Sequence, residues 1–335
     1  MDRTRLEVTT AEVPGQQTHY GNVFPLAYLC TSERASPADA VDWARKHAVE
    51  LITQAAEYGA VFFRGFPLVT PDDFDAFVAA FELPCFSYET SLSNAVRVNY
   101  TPRVFSANEA PPEVDINLHH EMAQTPIAPS MLFFFCDTAP EAGGASSLCR
   151  SDALWDELSE QSPAFSRACQ ERGLKYTHSM PAEEDPLSGM GRSWKSTFSV
   201  ETRDAAETRM AELGYTWQWL ENDCLRATTP VLPAVRELDS GRRAFFNQLI
   251  AAFTGWKDSR NDPSRAITFG DGSPMDDEGA RLAVALAEAL SFDVPWRPGD
   301  VALIDNYVVM HGRRTFRGTR RVLASFVAGR TPQAT

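Results

Sequence analysis

A His-x-Glu pair, His119 and Glu121, is followed by a lone histidine, His311, 190 residues beyond the glutamate (311 − 121). Side chains so far apart act together only in a fold that returns a late segment to an early one, so the pattern constrains topology first. The near pair lies in Ile116-Asn117-Leu118-His119-His120-Glu121-Met122. If that segment is extended, the two-residue period sends His119 and Glu121 to one face and His120 to the other. His311 follows Val301-Ala302-Leu303-Ile304-Asp305-Asn306-Tyr307-Val308-Val309-Met310, an apolar run interrupted by Asp-Asn that reads as a strand, a turn and a second strand. A sheet folded on itself brings His311 opposite the first pair.

Two neutral imidazoles and one carboxylate on one face of a metal leave three octahedral positions open, which suits ferrous iron that must bind a co-substrate and dioxygen together. Zinc accepts the same donors, but its catalytic sites usually hold one open position, most often with water. Oxygen chemistry at iron(II), with His119, Glu121 and His311 as ligands, is the expectation.

Further motifs surround the three ligands. Leu118-His119-His120-Glu121-Met122, Met131-Leu132-Phe133-Phe134-Phe135-Cys136, Pro140-Glu141-Ala142-Gly143-Gly144-Ala145-Ser146, Gly299-Asp300-Val301-Ala302-Leu303-Ile304-Asp305-Asn306, His311-Gly312-Arg313 and Arg320-Arg321 occur in that order. Val61-Phe62-Phe63-Arg64-Gly65-Phe66, Phe245-Phe246-Asn247-Gln248 and Phe269-Gly270-Asp271-Gly272 add to them. In this combination the chain resembles the taurine dioxygenase and clavaminate synthase superfamily of iron(II)/2-oxoglutarate-dependent oxygenases, in its branch of amino-acid and natural-product hydroxylases. The resemblance covers about residues 55–328. It implies a mixed α+β fold with a double-stranded β-helix core (a jelly roll, cupin-like) flanked by helices. One oxygenase domain is expected over residues 1–335, with an excursion at about 150–240. Within that excursion, 181–191 is the best candidate for a mobile loop, either a lid or a plain solvated turn.

The activity implied is oxidation of an unactivated C–H bond by O2, coupled to decarboxylation of 2-oxoglutarate to succinate and carbon dioxide. Hydroxylation is the default outcome, with desaturation, epoxidation or cyclisation as variants. Halogenases of the same superfamily carry alanine or glycine at the acid position, opening a site for chloride; Glu121 fills it here, which favours hydroxylation.

In the family an arginine shortly beyond the distal histidine pairs with the far carboxylate of 2-oxoglutarate, and here Arg320 and Arg321 compete for that role. Strand alternation places Arg321, Leu323 and Ser325 on one face and Arg320, Val322 and Ala324 on the other, so one guanidinium enters the barrel. Arg321 is the choice by its local frame, as a fork of fixed donors for a carboxylate. Ser146 stands where the family usually has a threonine that contacts the same carboxylate, although a turn serine satisfying local backbone has equal weight. Arg313, directly after His311-Gly312, could lie near the metal or the bound acid, or make a surface ion pair. His120 is expected to pack or to donate a hydrogen bond beside the ligands; His19, His47 and His178 carry no matching motif.

The segment 93–109 just upstream of the metal pair is of the kind that lines substrate pockets in this branch, so Asn99, Asn108 and Glu109 are substrate candidates, and Gln124 is another. The branch suggests a free or carrier-tethered amino acid, or a peptide-like natural-product intermediate, as the small-molecule substrate. A sulfonate or other small carboxylic acid is the second reading. A different class remains open, a jelly-roll protein that binds a small acid or a structural metal without catalysis.

Composition sets outer bounds. With 335 residues, 44% hydrophobic and 23% charged, the chain can bury a large core. A formal net charge of −14 argues against nucleic acid, whose phosphates need a basic counter-surface. No apolar run approaches the roughly 20 residues that span a bilayer, and Met1-Asp2-Arg3-Thr4-Arg5 leads into polar sequence, so a cytoplasmic protein without membrane contact is expected. Six widely spaced cysteines form no C-x-x-C pair and read as reduced thiols.

Local patterns place the elements. Ser36-Pro37 should open a helix carrying Val41, Ala44, Ala48, Leu51, Ile52 and Ala55, ended by Gly59. Thr70-Pro71-Asp72-Asp73 opens another with Phe74, Phe77, Val78 and Phe81 toward the core. Later helices are expected near 151–158, 163–172, 204–213 and 277–290, the last with Leu282, Leu286 and Leu290 in a row, and strands at 60–63, 131–136, 244–247, 301–304 and 321–327.

Overall fold

The computed structural model describes residues 6–87, 91–93, 95, 97–185, 188, 190–256, 260 and 266–328. These form a mixed α/β fold in which two sheets face each other. A seven-stranded sheet runs in the order Val8–Thr10, Leu26–Cys30, Ala60–Arg64, Val301–Asp305, Met131–Thr138, Arg321–Val327, Phe105–Ser106. Opposite it lies a four-stranded sheet, Ser291–Val294, Ser146–Arg150, Val309–Arg313, Ile116–His119. The pairing of Leu26–Cys30 with Ala60–Arg64 is parallel, and the other pairings in both sheets are antiparallel.

The central strands of the large sheet read as unbroken apolar runs because both of their faces are covered. Alternate residues separate cleanly. Phe62, Leu132, Phe134, Ala302, Ile304, Val322, Ala324 and Phe326 share a core with Leu148, Phe292, Val294 and Val309 of the small sheet. Val61, Phe63, Phe133, Phe135, Val301, Leu303 and Leu323 instead meet the helices Pro37–Tyr58 and Pro71–Ala79 through Ala44, Leu51, Phe74, Phe77 and Val78. Phe74 stacks on Phe135 at 5.1 Å between ring centroids. Both helices open as the sequence predicts: Ser36 and Thr70 cap them, each in a capping box closed by Asp39 or Asp73, with proline in the first turn.

The excursion between the two ligand segments builds a second layer. Helices Ser151–Gln161, Pro163–Arg172, Leu249–Gly255 and Asp277–Ala289 pack with a further sheet, Thr216–Trp219, Leu225–Thr228, Leu174–Met180, Ile267–Phe269, around Leu154, Phe165, Tyr176 and Phe245. A smaller cluster joins Met122, beside Glu121, to Met180, Trp194, Phe198 and Met210, so the excursion buttresses the ligand turn. Of the 181–191 loop, residues 186, 187 and 189 lie outside the described residues.

Two local expectations need correction. The strand expected at 244–247 is confined to Arg243–Ala244; Asn247 uses its side chain to accept from Leu249 N (2.8 Å) and to donate to the Ala234 carbonyl (2.9 Å), which turns the chain into the helix Leu249–Gly255. In Asp277–Ala289 the buried face is Gly279, Ala280, Ala283 and Ala287, with the leucine row only partly covered, because small residues let this helix lie close to its neighbours. Among the described residues no helix is long and apolar enough to cross a membrane. All six cysteines are free thiols.

Candidate metal centre and its pocket

Val309–Arg313 is the strand on which the site is assembled. It pairs on one side with Ser146–Arg150, setting Leu148 across from His311, and on the other with Ile116–His119, setting His119 across from His311. The two imidazoles therefore meet as cross-strand neighbours, 4.3 Å apart between centroids. Gly312 permits this approach, since a Cβ there would stand 2.5 Å from the Ile116 carbonyl oxygen and 2.7 Å from Ser147 Oγ. Extended structure stops at His119, one residue earlier than simple alternation requires, and Glu121 sits in the turn that follows, where Met122 adopts a φ of 59°. The turn returns the carboxylate to the histidines: ligand atoms of His119, Glu121 and His311 all lie within 4.8 Å of one another.

Asn306 holds that turn from the other ligand segment. Its Oδ1 accepts from Glu121 N (2.8 Å), its Nδ2 donates to the carbonyls of Glu121 (3.0 Å) and Pro129 (2.7 Å), and its own carbonyl pairs with His120 Nδ1 (2.5 Å). His120 is thus a buried strut that points away from the ligands. Asn306→Ala removes two hydrogen bonds that orient the Glu121 backbone and one to the Pro129 carbonyl, without touching a ligand atom. Metal affinity is expected to fall by about 10- to 100-fold, the usual cost of losing a group that orients a metal ligand. Metal titration monitored by calorimetry checks this, and an unchanged affinity would show that the turn holds itself.

The donor set suits a divalent metal. His119 Nδ1 lies 2.8 Å from the Asn117 carbonyl, which fixes the proton there and leaves Nε2 as the free base. Burial, then the nearby His311, lowers the His119 pKa to about 4, so the ring is neutral at neutral pH. His311 places Nε2 3.6 Å from Glu121, and its buried Nδ1 has no hydrogen-bond partner among the described residues. Burial by itself would raise the Glu121 carboxyl; the Arg97 guanidinium at 3.1 Å and the two imidazoles outweigh it and hold the carboxyl at about 2. A neutral His119 and an ionised Glu121 result, the protonation states that ligation requires of them.

A cavity of about 150 Å³ opens from these ligands. On its wall lies Arg320, which donates Nε–H to the Gly144 carbonyl (2.7 Å) and Nη2–H to Ser146 Oγ (3.3 Å) and has no carboxylate partner among the described residues. Burial, then the Arg313 charge, lowers its pKa to about 10, so it remains a cation at neutral pH. Gly144, at a φ of 69°, makes room for it: a Cβ there would lie 3.0 Å from Arg320 Cδ. Ser146 also accepts from Trp296 Nε1 at 3.0 Å.

The structure places Arg321, the arginine expected at the co-substrate, away from this arrangement. Arg321 does not reach the cavity; its side chain is 48% exposed and ion-paired to Asp137 at 2.5 Å. Arg320, immediately before the strand Arg321–Val327, and Val322 line the cavity, while Leu323 packs on the helices; the pairing register shifts between Arg321 and Val322. Arg313 does line the cavity, yet its guanidinium is engaged by the carbonyls of Asn108, Ala110, Pro111 and Val114, so it fastens the cavity wall. Among the substrate candidates, Gln124 is buried in the wall with its Oε1 unpartnered, and Asn108 reaches the wall while accepting from Ala110 N. Asn99 and Glu109 are exposed and outside the cavity lining.

Three functional contacts escape a reading of the sequence. Arg97 lies in the segment 93–109 singled out above, but only the fold shows it against Glu121 and over the rings of Phe105 and Phe326. Trp296 reaches Ser146 from 150 residues away. Asn306 stands in the Asp-Asn turn, where a turn residue is the ordinary reading.

Comparison with known proteins agrees with this geometry. The family model described as taurine catabolism dioxygenase TauD, TfdA family matches residues 22–326. A clavaminate synthase-like protein of Arabidopsis thaliana is 38% identical over 330 residues, covering 95% of this chain and 98% of its own. The dapdiamide synthesis protein DdaC of Enterobacter agglomerans is 26% identical over 341 residues, covering 95% and 97%. The crystal structure of AAD-2 in complex with Mn(II) and N-oxalylglycine superimposes with a TM-score of 0.51 at 15% identity, covering 98% of this chain and 100% of that one, a likeness of fold.

Proposed function

Because the chain belongs to the TauD, TfdA dioxygenase family, we propose that it hydroxylates an unactivated C–H bond of an amino acid, a carrier-tethered aminoacyl group or a natural-product intermediate. It is an iron(II)- and 2-oxoglutarate-dependent oxygenase, and bound iron with 2-oxoglutarate and O2 supplies the oxidising chemistry that side chains lack. The observation that carries the reading is the pairing, in one cavity, of the His119–Glu121–His311 donor set with a guanidinium, Arg320, that has no carboxylate partner among the described residues.

In this reading the three ligands hold the iron, and Arg320 and Ser146 receive the distal carboxylate of 2-oxoglutarate. The facing sheets form the double-stranded β-helix of a single oxygenase domain. Hydroxylation is favoured over halogenation because the Glu121 carboxylate occupies the ligand position that a halide would need. Support for an amino-acid-like substrate comes from the cavity wall, where the buried Gln124 Oε1, without a partner among the described residues, offers an acceptor to an amine. The name of the dapdiamide synthesis relative supports a natural-product setting. Met190, near the end of the loop expected to be mobile, lines the cavity, which supports a lid role for that loop.

Anaerobic addition of iron(II) and 2-oxoglutarate tests the reading. A weak visible absorption band, as a keto acid chelated to ferrous iron gives, is expected, followed on admission of air by succinate. Well-folded protein that gives neither would move the assignment to an acid- or metal-binding protein.

A further inference from the structure

We propose that Trp296 is a positioning residue for the co-substrate, acting through Ser146: its indole N–H fills one acceptor site of the hydroxyl and so compels Ser146 to donate its proton to the distal carboxylate of 2-oxoglutarate. The inference rests on the co-substrate reading of Arg320 and Ser146 given above.

A serine hydroxyl has one proton and two lone pairs. Ser146 Oγ receives Trp296 Nε1–H at 3.0 Å and Arg320 Nη2–H at 3.3 Å. Indole nitrogen and guanidinium are donors only, so neither can exchange roles with the hydroxyl. Both lone pairs are engaged, and the remaining proton has no acceptor among the described residues. Ser146 is nearly buried and lines the cavity beside Arg320, so the wall at this point presents only donors. Such a seat satisfies an acceptor-only group, a carboxylate, and leaves a buried donor unmet when the group is missing.

The backbone fixes the geometry. Ser146 lies across from Val294 in the pairing of Ser146–Arg150 with Ser291–Val294, and Trp296 follows two residues after that partner. The indole packs against Phe62 at 5.9 Å, holding its N–H toward Ser146. Without the indole, the hydroxyl regains an open lone pair and is free to rotate, and the carboxylate loses an obligatory donor. The device thereby selects a keto acid that carries a second carboxylate over one that has only the chelating end.

The test compares 2-oxoglutarate with pyruvate, which keeps the chelating end and lacks the distal carboxylate, on the iron(II)-loaded enzyme without oxygen, read by the visible band. Trp296→Phe is expected to weaken 2-oxoglutarate about tenfold and to leave pyruvate unchanged. Ser146→Ala should do the same, and the double variant should be no worse than Ser146→Ala alone. In turnover, KM for 2-oxoglutarate should rise with kcat nearly constant. Equal losses for both keto acids, no loss for either, or a Trp296→Phe effect that persists in full in the Ser146→Ala background would overturn the proposal, because the indole would then not act through the hydroxyl. Failure of the underlying reading looks different: Arg320→Ala would then leave 2-oxoglutarate affinity untouched.

Discussion

His311→Ala is expected to abolish metal-dependent turnover and to lower metal affinity by more than about 100-fold, beyond the range seen when only an orienting group is lost. The expectation follows from placement. His311 stands on a central strand, opposite His119 and between two paired neighbours, so no other described histidine can be drawn into its position by a loop shift. Removing it takes away a ring and leaves the Arg97–Glu121 ion pair intact. Glu121→Ala should be equally inactive for a partly different reason. It deletes a ligand and also strands Arg97, whose side chain is 5% exposed, without its carboxylate. Breaking a buried pair in this way costs about 3–5 kcal/mol, so Glu121→Ala should be distinctly less stable to urea than His311→Ala. Metal titration, succinate formation and urea unfolding of both variants check this together. Wild-type turnover in His311→Ala would remove the ligand assignment, and equal stability of the two variants would show that Arg97 finds another partner.

What the sequence discloses differs between the parts of this site. The candidate ligands are legible because metal ligation demands particular donors, and the structure brings the donor atoms of His119, Glu121 and His311 within 4.8 Å of one another. The helices opened by Ser36 and Thr70 are legible because capping is local chemistry. The face of Arg321–Val327 that meets the cavity is not legible, since Val322, Ala324 and Phe326 on one side are as apolar as Leu323 and Val327 on the other. Both faces of that strand are buried, one against the small sheet and one against helices, and a hydrophobic pattern cannot say which is which. Arg97, Trp296 and Asn306 act across 24, 150 and 185 residues respectively, on partners that only tertiary packing brings near. Asn99 and Glu109 fail for the converse reason: side-chain chemistry suited to a substrate says nothing about which way an irregular segment turns it.

Arg320→Ala is expected to raise the 2-oxoglutarate requirement on the order of 100-fold, the scale for removing one partner of a desolvated, hydrogen-bonded charge pair. Arg321→Ala should change it by less than about twofold, as befits an exposed ion pair. The neighbours carry the same charge at adjacent positions, Arg320 just before the strand and Arg321 at its start, so their difference isolates position. Arg320 is held on the cavity wall by the Gly144 carbonyl and Ser146 and has no carboxylate partner among the described residues, whereas Arg321 already has a carboxylate in Asp137. Arg320→Lys should recover only part of the loss, because an ammonium supplies the charge without the fork of donors. Binding of 2-oxoglutarate to the anaerobic iron(II) enzyme, measured for all three variants, decides the matter. A strong effect in Arg321→Ala with a weak one in Arg320→Ala would mean that the strand presents its other face to the co-substrate, and with it the division of the two cores described here would fall.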